Sequence, residues 1–254
     1  MPLLCVVTRI FRRLPKIALV AGLMISNQAA LADPISDGQN ALLRGDESGA
    51  VKLWTPPATQ GDPEAQFRLG LMYLSGRGVA ADKKIAVRWL KLALEKHHIG
   101  SSLVLADIYL DKAGSYYDPD TAIALLRNSA EQGATEAQRY LAQIYRKGGG
   151  VSQNFDEAFQ WFKLAAAKGD IASQAGLGEL YRYGYGVEQS YPKAFMWTSL
   201  AASALTNNAP DRIVAVQSAI KSRNELEHMM SAEELAGAEH LAITCWQSKL
   251  QNCD

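Results

Sequence analysis

The residues able to do chemistry are few and scattered. Ser218-Ala219-Ile220-Lys221 spells S-x-x-K, in which a lysine amine can take the proton of a serine nucleophile one helical turn away. Such a nucleophile works beside S-D-N and K-T-G tripeptides, and neither occurs in this chain. The tetrad therefore reads as the polar side of a helix. His228, His240 and Cys245 carry ligand atoms suited to zinc, but they lack C-x-x-C or H-x-x-x-H spacing. His97 and His98 are neighbours and point apart on any regular element. Gly76-Arg77-Gly78 and Gly148-Gly149-Gly150 lie between helical patterns without a preceding strand, so they read as turns rather than phosphate cradles. No catalytic residue, metal ligand or cofactor site is assigned.

What positions these residues is a repeat. Trp161–Gly169 (W-F-K-L-A-A-A-K-G) recurs at intervals of 36, with Trp89, Leu125 and Trp197 opening the same slot. Ala50, Ala86, Ala122, Ala158 and Ala194 keep step with it. So do Leu69, Leu105, Leu141 and Leu177, then Tyr73, Tyr109, Tyr145 and Tyr181, and finally Gly78, Gly114, Gly150 and Gly186. A fixed period of this size marks an array of small structural units, each burying its apolar face only against its neighbours.

Four units follow, at 62–97, 98–133, 134–169 and 170–205. In the first, Asp62 is placed to cap a helix with Pro63 at its opening position, and Ala65, Leu69, Gly70 and Tyr73 mark one face. Glycines then turn the chain, and Asp82 caps a second helix carrying Ala86, Trp89, Leu90 and Ala93. The second unit diverges, with Leu125 for Trp and His97-His98 for the usual glycine turn; its unchanged length predicts the same path with a weaker interface. Residues 33–61 read as a partial unit that caps the array: a helix capped by Asp37, then another from Ala50 that Pro56-Pro57 stops. After 205 the period fails. A helix through about Asn224 and another opened by Ser231 and Glu234, with Leu235, Ala238, Leu241, Ala242 and Trp246, read as the C-terminal cap over 206–254.

Arg9, Arg12, Arg13 and Lys16 precede the apolar run Ile17–Ile25 and the triplet Ala30-Leu31-Ala32, which together read as a signal peptide over 1–32 cleaved before Asp33. Removing those four from 26 basic residues leaves 22 against 26 acidic, a net charge of −4. Such a balance disfavours nucleic acid as a partner, and no later run is long enough to span a membrane. The expected location is periplasmic or secreted. In an exported chain Cys245 and Cys253 read as a disulfide, the alternative being two unpaired thiols. Eight residues of helix would hold them about 12 Å apart, so the helix must end before Cys253 for a bridge to form.

The pattern A-x-x-x-L-G-x-x-Y-x-x-G-x-G-V, followed by D-x-x-x-A-x-x-W-x-x-x-A, resembles the Sel-1-like repeat (SLR) family, relatives of the tetratricopeptide repeats. Ala65–Ala93, Ala137–Ala165 and Leu177–Ala201 carry it. The resemblance implies an all-α fold, a right-handed α/α superhelical solenoid. It further implies a scaffold or adaptor role in the bacterial envelope, with no shared enzymatic activity. In the related tetratricopeptide geometry the first helices line the concave face. Glu64, Phe67, Leu71 and Leu74 would then face inward, followed by Leu103, Asp107, Leu110 and Asp111. Arg139, Gln143, Arg146 and Lys147 come next, and then Glu179, Arg182 and Tyr183. That groove runs from apolar to basic and fits a protein or peptide segment with apolar and acidic groups. A glycan-binding module is the alternative if Trp54, Tyr116-Tyr117 and Tyr185 share a cleft. A hydrolase of β-lactamase type is the remaining one, since some cysteine-rich relatives have been named so.

Overall fold

The computed structural model describes residues 33–203, 210–251 and 253. The expected signal peptide lies outside them. Among the described residues the chain forms twelve α-helices and no strand, consecutive helices packing side by side from α1 to α11. No described helix is long and apolar enough to cross a membrane.

The cap comprises α1 (Pro34–Leu43) and α2 (Glu47–Thr59). Two expectations are corrected here. Asp37 lies within the first turn of α1 rather than capping it, and Pro56 and Pro57 lie inside α2 rather than ending it. The residues four before these prolines, Lys52 and Leu53, are exposed, so carbonyls deprived of a donor belong to the solvent side. Trp54 and Ala58, each 1% exposed, hold α2 to the core on either side of the prolines.

Repeat 1 is α3 (Pro63–Ser75) and α4 (Lys83–Glu95), and repeat 2 is α5 (Ile99–Leu110) and α6 (Pro119–Glu131). Repeat 3 is α7 (Thr135–Lys147) and α8 (Phe155–Ala166), and repeat 4 is α9 (Ile171–Tyr183) and α10 (Tyr191–Ser203). Asp62, Asp82, Asp118, Asn154 and Asp170 accept the backbone N–H three residues on, fixing where helices begin. The alanine ladder on the second helices is fully enclosed, and the leucine ladder on the first helices is at most 1% exposed. Small residues let the two layers approach. A Cβ added at Gly70 would stand 2.7 Å from Leu90 Cγ, and at Gly178 2.5 Å from Thr198 Cγ2.

A polar ladder holds the seams between repeats. Gln66, Gln138 and Gln174 are buried, and their Nε2 atoms donate to the carbonyls of Ala58, Ala130 and Ala166 at 3.0, 2.9 and 3.4 Å. These carbonyls lie in the last turns of second helices, each accepting the N–H of the turn glycine three residues on, and the glutamine adds a second donor. Repeat 2 differs. Ser102 stands in the glutamine slot and accepts from Ser129 Oγ at 2.8 Å. His97 takes the left-handed turn (φ 61°) that Gly61, Gly133 and Gly169 take elsewhere. The α4–α5 seam is also the least extensive between consecutive helices from α1 to α11.

The C-terminal cap is α11 (Pro210–Glu227) and α12 (Ala232–Gln247), each packed on α10, with α11 also against α9. Val216 and Ala219 of α11 join Ile171, Ala201 and Ala202 in a small core. Ser231 and Glu234 form the capping box of α12. Its inner face is narrower than expected: Ala238 and Cys245 are buried, whereas Leu241 and Trp246 are 36% and 68% exposed. The chain turns back after α12, and Cys245 is joined to Cys253 with Cα atoms 4.7 Å apart.

Candidate protein-binding face

The first helices α3, α5, α7 and α9 carry the residues singled out in the sequence, and none of these side chains is fully buried. In the apolar half, Phe67, Leu74, Leu103 and Leu110 rest partly on the main core. Leu71 is half-buried. Phe67 lies against the His98 ring with centroids 4.4 Å apart, and His98 Nε2 is 3.1 Å from Glu64 Oε2. Glu64 also meets Arg68 at 2.6 Å. His98 caps α5, its ring accepting from Ser101 N. These contacts tie repeat 1 and repeat 2 together along one face.

The expected basic half is corrected by pairing. Arg139 Nε lies 3.3 Å from Asp170, Arg146 is paired with Glu179, and Arg182 Nη1 meets Glu225 at 2.6 Å. Arg139 and Arg146 of α7 are answered by the N-cap and body of α9, and Arg182 of α9 by α11 of the C-terminal cap. Asp107 accepts from the Tyr140 hydroxyl in the same manner, and loss of solvent pushes its carboxyl pKa up. The hydrogen bond from Arg182 holds Glu225 below the usual range, with Lys221 adding to the effect. Pairs this exposed each contribute on the order of 0–1 kcal/mol, so their larger consequence is to neutralise the face. Lys112 and Lys147 are exposed and have no ion pair among the described residues.

Three cavities adjoin around the C-terminal half of α7. One of 290 Å³ opens between α7, α9 and α11, with Gln143, Arg146, Glu179, Arg182 and Tyr183 in its wall. A second, also 290 Å³, is lined by Leu110, Tyr140, Gln143 and Lys147. The third, 530 Å³, shares Arg146, Lys147 and Glu179 and adds Gln153, Phe155 and Tyr185. Beside it Tyr185 stacks on Phe155 at 4.6 Å and Tyr183 on Tyr185 at 5.5 Å, with the Arg182 guanidinium 5.4 Å from the Tyr183 ring. Phe155, Lys112, Tyr140 and Gln153 were not singled out in the sequence. Comparing each turn with the preceding helix start, slot by slot, would have drawn out Phe155.

The remaining candidates do not converge. Trp54 is buried and donates to Ile35 O at 3.2 Å, so the aromatic cleft on which the glycan alternative depended does not include it. Ser218 of α11 lines the first cavity, and Lys221 is exposed. His228 and His240 are exposed, Cys245 is bridged, and no group of three metal-ligating side chains occurs among the described residues.

Helix pairs stacked through shared ladders define an α/α repeat solenoid. The Sel1 repeat family model matches residues 63–98, 104–133, 135–170 and 171–204, and the chain belongs to that family. The match to repeat 2 begins late, skipping the stretch around Ser101-Ser102 where that repeat departs from the others. Among solved structures, the chain is similar to c5321, a protective antigen of uropathogenic Escherichia coli strains displaying an SLR fold. The TM-score is 0.69 at 28% identity, covering 86% of this chain and 45% of that one. The chain thus spans less than half the length of that protein. A Sel1 repeat protein from Oxalobacter formigenes matches with TM-score 0.60 and 23% identity over 74% of this chain and 85% of its own. No curated protein sequence matches.

Proposed function

We propose that the protein is an exported adaptor that binds a segment of another protein along its first-helix face, in envelope assembly, regulation or secretion. The observation that carries this reading is the run of three adjoining cavities around Gln143, Arg146 and Lys147. Their walls combine apolar, aromatic and charged groups on a rigid scaffold, the composition of a peptide-binding groove. Export is supported by the basic, apolar and small-residue succession in 1–32 and by the Cys245–Cys253 bridge, which persists in oxidising compartments.

The test places a photocrosslinking amino acid at Gln143, with Lys91 on the exposed side of α4 as control, in the cell of origin. A discrete crosslinked protein at Gln143 and none at Lys91 is expected. Equal products at both positions, or none at Gln143, would overturn the assignment of this face. Export predicts a mature N-terminus at Asp33, read by sequencing the purified protein; an intact Met1 would contradict it.

A further inference from the structure

Each repeat's turn meets the opening of the preceding repeat's or cap's second helix, and three of these four seams are closed by a side-chain pair. At the first, Arg77 Nε lies 2.6 Å from Glu47 Oε1. At the second, Lys83 Nζ lies 3.4 Å from Asp111 Oδ2. At the fourth, Tyr185 stacks on Phe155. The corresponding residues at the third seam are Pro119 and Gly149, one period before Phe155 and Tyr185. A Cβ built on Gly149 meets nothing within 4 Å. The 290 Å³ cavity lined by Leu110, Tyr140, Ile144, Lys112, Lys147 and Gln143 opens there.

The chemistry of that gap is specific. Leu110, Tyr140 and Ile144 supply apolar surface, and the rim carries two lysines with no carboxylate among its lining residues. The neighbouring arginines are neutralised within the fold, whereas Lys112 and Lys147 have no ion pair among the described residues. We infer that the gap is an anchor site for one aromatic side chain within an acidic segment of the partner protein. The ring takes the place that Tyr185 fills one repeat later, and flanking carboxylates meet Lys112 and Lys147. This inference rests on the adaptor reading and names the chemistry of its partner.

The test titrates the purified, ¹⁵N-labelled protein with the acetylated, amidated tripeptide Glu-Phe-Glu, followed by amide chemical shifts. Saturable shifts centred on Lys147, Gly149 and Gly150 are expected. Glu-Ala-Glu and Lys-Phe-Lys should each bind at least about tenfold more weakly. Gly149→Tyr copies the closure of repeat 4. Gly149 lies outside the left-handed region and has open space, so the variant should melt like the parent yet lose the shifts. Absent shifts, shifts that survive Gly149→Tyr, or equal shifts with glucuronate would overturn the anchor site, the last in favour of a glycan. Crosslinking from Gln143 separates the two readings. If it persists while the peptide fails, the anchor is lost and the adaptor stands; if the parent protein gives none, both fall.

Discussion

At the seam between repeats 3 and 4, Gly169 makes the turn and Gln174 reaches back to the carbonyl of Ala166. Phe162, 1% exposed, lies under Gly176, where an added Cβ would stand 2.9 Å from its ring. At the seam between repeats 1 and 2, His97 holds the left-handed turn, Ser102 replaces the glutamine, and the facing helices share less surface. Both seams lie on the same leucine and alanine ladders. Ladder residues therefore set the path of the chain, while the seam residues set how firmly successive repeats hold together. Stability in such an array is a sum of repeat and nearest-neighbour terms, so it need not be even along the chain.

The sharpest break removes the strong seam. Phe162→Ala should cost about 3–5 kcal/mol, read by urea denaturation, because the ring is enclosed. A cost below about 1 kcal/mol would show that the seam does not depend on it. Next comes the polar ladder. Gln174→Leu removes the side-chain hydrogen bond to the Ala166 carbonyl, which keeps its bond from the Gly169 N–H, and should cost about 0.5–1.5 kcal/mol, with local loss of amide protection in α9. A change of opposite sign is expected at the weak seam. His97→Gly relieves an L-residue in the left-handed region and should raise stability by roughly 0.5–1 kcal/mol; destabilisation would mean that the His97 ring contributes contacts.

The smallest effect concerns the cap. Glu225 has its folded pKa lowered by the hydrogen bond from Arg182, so its contribution is fully present above the ordinary glutamate value of about 4.3. It fades as pH falls through the lower folded value. Protection of α11 should decline in that acid window before that of α7 or α9, and Glu225→Gln should remove the pH dependence.

The ladders were legible because packing demands the same residue type at the same place in every repeat. Helix starts at Asp62, Asp82 and Ser231 were legible because capping is local chemistry. Gln66, Gln138 and Gln174 were not recognised, although they share the period. A polar residue reads as a surface position until the carbonyl it satisfies is known. Pairing of Arg139, Arg146 and Arg182 with Asp170, Glu179 and Glu225 escaped the sequence because it links residues 31 to 43 positions apart. A consequence follows for mutagenesis. Reversing Arg139 or Arg146 to Glu would set carboxylate against carboxylate, so these variants test seams as much as binding. Leu241 and Trp246 were read as part of the capping helix, but α12 packs chiefly on α10 and leaves both side chains exposed.

Native-state hydrogen exchange resolved to single amides tests the contrast between seams most directly. Amides of α4 and α5 facing the repeat 1–2 seam should open at lower free energy than those of α8 and α9 at the repeat 3–4 seam. His97→Gly should narrow the gap. Uniform opening along the array, with no response to His97→Gly, would contradict the division between ladder and seam.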